Sequence, residues 1–423
     1  MIAEILSTGD EILSGALIDS NAAFIARKLE EKGILVARHS CIGDDLESLA
    51  AMLKEIGERS DIAVVTGGLG PTNDDLNAEA AALAKGVELH MDEQILNEIK
   101  GLFSARKFRM SRSNAKQAMF PKGAEVLKNP VGTAPGFSIS IGKCIFFFLP
   151  GVPYEMEHMM EEKVLPEIDG LRAGKETHML TRAISIFGLP ESETGERLEE
   201  IAGRFPEIEI GFRARFPDIE VKLKARGEDE NFIKKQLDEA SAWAADKIGI
   251  AAYSLGGESM EEVVGRRLSE RNATVALAES CTGGLIAHRL TNVSGSSDYF
   301  LFSAVTYSNE AKMRVLGVRK ETLKTFGAVS EQTAGEMSEG ARKISGAVFS
   351  LSTTGIAGPT GGSLSKPVGT VCIGLSSSEG TFTSRYVFSS VDRIRNKEIF
   401  AVTAMDLLRR KLEGLPPGKR NEA

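Results

Sequence analysis

The sequence predicts an α/β protein: two α/β domains with parallel or mixed sheets, separated by a small α+β domain. Three observations carry this. Apolar runs of strand length alternate with segments whose apolar residues recur at helical spacing, the order expected of βαβ units. The apolar runs hand over to helices through polar or glycine-rich turns, as parallel strands do. Between the two alternating regions, residues 172–253 carry shorter and more charged strand patterns. A chain of 423 residues is long enough for several independent cores.

In order along the chain, Ile2 to Leu6 reads as a buried strand followed by the polar turn Ser7-Thr8-Gly9-Asp10-Glu11. Phe24, Ile25, Lys28 and Leu29 with a terminal Gly33 mark an amphipathic helix ended by a glycine cap. Ile34 to Ile42 supplies a second extended run, Leu46 to Arg59 a helix, and Asp61 to Thr66 a strand entering Gly67-Gly68-Leu69-Gly70-Pro71-Thr72-Asn73-Asp74-Asp75. Lys143 to Leu149 closes this first domain's strand set and meets Pro150-Gly151-Val152-Pro153. Strands are expected at Arg182 to Phe187, Glu207 to Arg213 and Ile219 to Ala225, and Trp243 shares a helix face with Leu237, Ala240, Ala244 and Ile248, a core position. The last domain alternates again: a helix from Met260, a strand at Thr274 to Ala278, a helix from Gly283, a strand near Phe300 to Tyr307 and a helix from Asn309. A helix from Glu331 to Ile344, a strand from Val348 to Thr353 and a long closing helix complete it. The expected boundaries are 1–171, 172–253 and 254–413, with a frayed tail at 414–423.

Composition narrows the function. Lys and Arg number 51 against 59 Asp and Glu, a formal net charge of −8, which argues against broad binding to nucleic acid or an anionic membrane. The longest apolar run is too short to span a bilayer and the N-terminus is acidic where a signal peptide is basic, so a cytoplasmic location is expected. Four scattered cysteines and five histidines without metal-site spacing leave oxygen ligands for any divalent metal.

Two constellations carry chemistry. Gly67, Gly68 and Gly70, between a strand and a helix, present backbone N–H groups suited to a phosphate. Asp74 and Asp75 beside them would repel it unless a cation bridges, and Asp10-Glu11 and Asp44-Asp45 also follow strands. The same pattern reads as a tight turn with Asp as N-cap. In the last domain, Ala278-Glu279-Ser280-Cys281-Thr282-Gly283-Gly284 places Ser280 between a strand and a helix, near N–H donors of Gly283 and Gly284 that would stabilise an oxyanion. Lys312 falls near the start of a helix, where the macrodipole disfavours a cation, so its pKa should fall toward that of a base. Ser280 with Lys312 then forms a serine–lysine dyad with Tyr307 as orienting or relay group; a capping serine and a solvated lysine are the other readings of these two residues. Cys281 is an alternative nucleophile and Glu279 an alternative base. Gly355 to Gly362 reads as an anion-cradling loop with Lys366 supplying charge, or as a plain surface loop.

These motifs resemble the competence/damage-inducible CinA family, in order and spacing, over nearly the whole chain. Residues 7–13, 67–75, 129–136 and 149–153 resemble its molybdopterin-binding-like domain; residues 278–284, 307–312 and 355–362 resemble its C-terminal domain; the spacer resembles its KH-like domain. The resemblance implies nicotinamide-nucleotide amidase activity, in which nicotinamide mononucleotide gives nicotinate mononucleotide and ammonia. Ser280 would be nucleophile, Lys312 base and Tyr307 a supporting hydroxyl, with Thr282, Gly283, Gly284, Gly358, Thr360, Gly361, Gly362 and Lys366 binding substrate and no cofactor needed. For the first domain it implies ADP-ribose pyrophosphatase activity with a divalent metal (Mg, Mn or Co) on Asp44, Asp74 and Asp75, Asp75 acting in catalysis and Gly67, Gly68 and Gly70 cradling substrate. The family's Asp-Asp-Leu-Thr is here Asp74-Asp75-Leu76-Asn77. A homodimer is implied. The KH-like segment carries 13 Lys and Arg against 16 Asp and Glu and no G-x-x-G loop, so no direct nucleic-acid binding is expected. A molybdopterin-handling protein and a non-enzymatic competence or repair scaffold are the competing readings.

Overall fold

The computed structural model describes residues 1–105, 108–172, 178–390 and 392–417. It divides into two compact units: Met1–Leu180 with Arg226–Ile233, and Thr181–Ala225 with Lys234–Ala423. The boundary expected near 172 falls beside residues 173–177, and residues 418–423 of the expected tail likewise lie outside the described residues.

In the first unit a six-stranded sheet runs in the order Leu35–Ile42, Ile2–Thr8, Ile62–Thr66, Cys144–Leu149, Gly136–Ile141, Glu125–Leu127. The first four are parallel and the last two antiparallel, so the sheet is mixed. Its central strand is apolar throughout because both faces are covered. Phe146 and Phe148 pack with Leu53 and Ile56 on one side, and Phe147 with Met156 and Met160 on the other. The helix Leu46–Arg59 has the bounds that its periodicity predicts.

The small sheet runs Ile208–Arg215, Asp218–Gly227, His178–Ile186, Ala252–Ser254. Trp243, on the helix Glu230–Ile248, meets the Phe205 ring edge-on at 6.1 Å and is half-buried, while Leu237, Ala240, Ala244 and Ile248 of the same helix are buried. The five-stranded sheet of the second unit runs Phe300–Val305, Val275–Glu279, Phe349–Gly355, Thr370–Ser377, Gly380–Val387. Its first three strands are parallel and the last two antiparallel. The helix Glu331–Ser345 sets Met337 and Ala341 against Ala276 and Ala278, while Met260–Glu270 and Arg393–Glu413 cover the opposite face. Parallel order brings the C-terminal ends of Val275–Glu279, Phe300–Val305 and Phe349–Gly355 to one edge, where ligand sites form in open α/β sheets. No helix among the described residues is long and apolar enough to cross a membrane.

Candidate functional site

Ser280 follows the strand Val275–Glu279 directly, and its N–H donates to the Thr353 carbonyl at 2.9 Å, which fixes the turn to the neighbouring strand. Lys312 lies one turn into the helix Asn309–Leu316, whose N-cap Ser308 accepts from the Ala311 N–H. Its side chain is 1% exposed, and Nζ lies 3.0 Å from Ser280 Oγ, 2.8 Å from the Thr306 carbonyl and 3.4 Å from the Tyr307 carbonyl. Burial holds its pKa below that of an ordinary lysine. Nζ donates to Ser280 Oγ and to both carbonyls; once it has lost a proton it would keep the two carbonyl bonds and present its lone pair to the serine hydroxyl. The environment therefore suits the basic form of the lysine.

The turn that follows differs from expectation. Glu279 is fully buried, and its carboxylate accepts from the N–H groups of Gly284 (2.9 Å), Ile286 (3.2 Å) and Ala287 (2.9 Å). It is an anionic cap for the helix Leu285–Thr291 and has no geometry for a base. Gly283 N–H donates to the Ser280 carbonyl at 3.2 Å, so neither glycine N–H is free to hold an oxyanion. What Gly283 and Gly284 supply is backbone conformation, with φ of 64° and 93°, which turns the helix start back onto Glu279. Thr282 is also not open to substrate: it is buried, with its hydroxyl 2.7 Å from that of Thr353. Cys281 is buried and desolvation pushes its thiol up to about 12, which removes it as a nucleophile. Thiol labelling of the native protein should therefore spare Cys281, Cys144 and Cys372 and reach the half-buried Cys41 first, with the other three reacting on unfolding. Rapid native labelling of Cys281 would return it to the site.

The opening of the Gly355 to Gly362 loop is brought to the serine turn. A side chain at Gly355 would meet Cys281 Sγ at 3.2 Å, and the buried Gly358 offers its carbonyl to Arg393 Nη1 at 2.8 Å. Thr360, Gly361 and Gly362 are exposed. Lys366 is directed elsewhere, its Nζ donating to the Phe326 carbonyl at 2.8 Å. Tyr307 also departs from its expected role: its side chain is exposed, its hydroxyl accepts from Arg393 Nη2 at 2.8 Å, and its contact with Lys312 is through the backbone carbonyl. Three residues at the start of Arg393–Glu413 were missed. Arg393 links the loop to Tyr307, Asn396 Nδ2 holds the Ala357 carbonyl at 2.9 Å, and Lys397 Nζ lies 3.7 Å from where a Gly283 Cβ would sit. Two cations on a helix N-terminal turn were the available signal, since the macrodipole disfavours them there.

In the first unit, a cavity of about 740 Å³ opens at the ends of the parallel strands, lined by Thr8, Asp10, Asp44, Gly67, Gly68, Gly70, Asp74 and Asp75 among others. Asn77, at the family's threonine position, is buried; its Nδ2 donates to Thr8 Oγ1 (3.0 Å) and the Gly67 carbonyl (2.8 Å), tying two strand ends together. Burial, together with the charges of Asp10, Glu11 and Asp74, raises the Asp44 pKa. Asp75 Oδ2 accepts from the Thr72 N–H and hydroxyl at 2.7 and 2.6 Å and braces the loop. Among the described residues no three His, Cys, Asp or Glu side chains converge to hold a metal. The expected set Asp44, Asp74 and Asp75 thus shares a cavity without forming a closed cage.

A serine on a strand-to-helix turn beside a buried lysine, in one α/β unit, and a glycine-looped acidic cavity in another define a modular α/β protein with two candidate sites. Family comparison agrees with this division. Residues 4–170 match the probable molybdopterin binding domain, 181–254 the damage-inducible protein CinA KH domain, and 257–412 the CinA C-terminal domain. The chain belongs to the CinA family. It is 50% identical over 412 residues to a CinA-like protein of Desulfosudis oleivorans, covering 97% of this chain and 100% of that one. A CinA-like protein of Geobacter metallireducens is 43% identical, covering 97% and 99%. Among solved structures, the competence/damage inducible protein CihA from Agrobacterium tumefaciens is 41% identical over 37% of this chain and 97% of its own, with a TM-score of 0.35.

Proposed function

We propose that the Ser280 site hydrolyses the carboxamide of nicotinamide mononucleotide, and that the first unit's cavity cleaves the pyrophosphate of ADP-ribose with a divalent metal. The observation that carries the first reading is the buried Lys312 amine 3.0 Å from Ser280 Oγ. Lys312 takes the Ser280 proton as Oγ attacks the carboxamide carbon, and returns it to the departing nitrogen, releasing ammonia and leaving an acyl ester. Water, deprotonated by the same amine, attacks the ester; the acyl–oxygen bond breaks and Oγ recovers its proton as nicotinate mononucleotide leaves. Arg393 and Lys397 supply positive charge beside the serine turn for the ligand's phosphate. Ammonia release from nicotinamide mononucleotide by the purified chain tests the reading, and no release overturns it.

For the cavity, the residues fit a loosely held ion better than a resident one: Asp44 and Asp74 would contribute carboxylates, and substrate phosphates and water the rest, as magnesium commonly accepts. Bound there, the metal would neutralise charge on the pyrophosphate. Asp44 and Asp74 would hold it, and the glycine loop held by Asn77 and Asp75 would face the phosphates. Asp44→Asn should lower metal-dependent ADP-ribose cleavage at least about tenfold, the loss expected when a metal's carboxylate or its support is removed. Unchanged cleavage removes Asp44 from the site. The apolar rim of the cavity, with Leu17, Ile18 and Val152, also suits a pterin ring, and pterin binding without ADP-ribose cleavage would favour that reading.

A further inference from the structure

The turn of the hairpin formed by Ile208–Arg215 and Asp218–Gly227 carries Phe216 and Pro217. Phe216 is 50% exposed, a large ring on a two-residue turn that its own small sheet does not cover. Its partner is Arg395, whose guanidinium carbon stands 5.3 Å from the ring centroid. Arg395 belongs to the first turn of Arg393–Glu413, where the N-cap Asp392 accepts from its N–H at 2.7 Å. Arg393 and Arg395 are two apart on a helix, so they point to different sides. One side reaches the Gly358 carbonyl and the Tyr307 hydroxyl, the other the hairpin ring. Beneath the ring, Phe216, Pro217 and Asp218 share a cavity of about 240 Å³ with Glu261, Arg289 and Glu398, and Arg289 ties Glu261 at 2.7 Å to Glu398 at 3.4 Å. Glu398 is on the same helix as Arg395, and it lines this cavity together with the hairpin residues.

We infer that Phe216 and Arg395 are positioning residues for the Ser280 site: the KH-like hairpin holds the first turn of Arg393–Glu413, and that turn holds the glycine loop and Tyr307. This rests on the amidase reading for its kinetic arm only. Neither residue touches the reacting atoms, so the effect falls on substrate capture by the loop and Arg393 more than on the chemical step.

The test uses the full chain and five variants. Phe216→Ala and Arg395→Ala should each raise KM for nicotinamide mononucleotide about two- to five-fold, the range of an exposed cation–π contact, with kcat within about twofold of wild type. Phe216→Tyr and Arg395→Lys, which keep a ring and a cation, should restore KM. Amide hydrogen exchange at residues 355–358 should quicken in Phe216→Ala, and the double alanine variant should be no worse than either single. Unchanged exchange in Phe216→Ala, or additive losses in the double variant, overturns the inference. Absence of ammonia release from wild type would sink the amidase reading, with exchange still deciding the coupling.

Discussion

Replacing Lys312 by Met should abolish ammonia release and, at neutral pH, raise the melting temperature. The two effects have one cause. Lys312 is 1% exposed and its strongest influence is loss of hydration, with no carboxylate bonded to Nζ to offset it. Its folded pKa lies below that of an ordinary lysine, so below the ordinary value the unfolded chain binds more protons than the folded one. Stability from this group is therefore fully present above the unfolded value and is lost as pH falls through the folded one. At pH 7 the buried amine is a cost, which Met, similar in length and apolar, removes. On the amidase reading the same depression supplies the base, and kcat/KM should rise with pH and level off below the ordinary lysine range. Lys312→Arg should not rescue, because a guanidinium stays protonated. Ser280→Ala should lose at least about a thousandfold in kcat, as residues acting as one unit do. Calorimetry at pH 7 and 9 with an ammonia assay reads both effects. A Lys312→Met variant that is less stable at pH 7, or that still releases ammonia, contradicts this account of the site.

Ser280 and Lys312 were legible in the sequence because their placement depends on local pattern: each follows an apolar strand and opens a helix, and parallel order brings such turns to one edge. Arg393, Asn396 and Lys397 were not, because their meaning lies in partners far along the chain, such as the Gly358 carbonyl and the Tyr307 hydroxyl. Lys366 was chosen for lying in the glycine loop, yet proximity in sequence said nothing of the direction its long side chain takes toward Phe326. In the fold, the parallel strands Ile2–Thr8, Ile62–Thr66 and Cys144–Leu149 stood out as largely apolar runs, while the antiparallel strands Thr370–Ser377 and Gly380–Val387 did not. Thr370–Ser377 is buried throughout but built from Thr, Cys, Gly and Ser as much as from Val, Ile and Leu, so it lacks both a continuous apolar signal and a clean alternation. Thr72 and Asn77 show the same limit in the first unit, where the glycine loop was visible and the side chains bracing it were not.

Glu279 offers the second large effect. Its carboxylate is 0% exposed and satisfies three backbone N–H groups at the start of Leu285–Thr291. Removing it in Glu279→Ala leaves one buried and two part-buried donors without acceptors and opens a cavity under the serine turn. Unsatisfied buried donors cost about 1–3 kcal/mol each, and partial relaxation brings the expected total to about 3–5 kcal/mol. For a domain of this size that lowers the melting temperature by roughly 10 °C. Glu279→Gln retains one carbonyl oxygen but presents an amide NH2 toward a donor, so it should fall between wild type and Ala. A capping role and a catalytic one then separate cleanly. If Glu279 only shapes the turn, Gln and Ala variants lose stability and ammonia release together, in the same order, because Ser280 moves with the turn. If it were a base, Gln would keep the melting temperature and lose the reaction. Three N–H groups already occupy both of its oxygens, so the first pattern is the expected one.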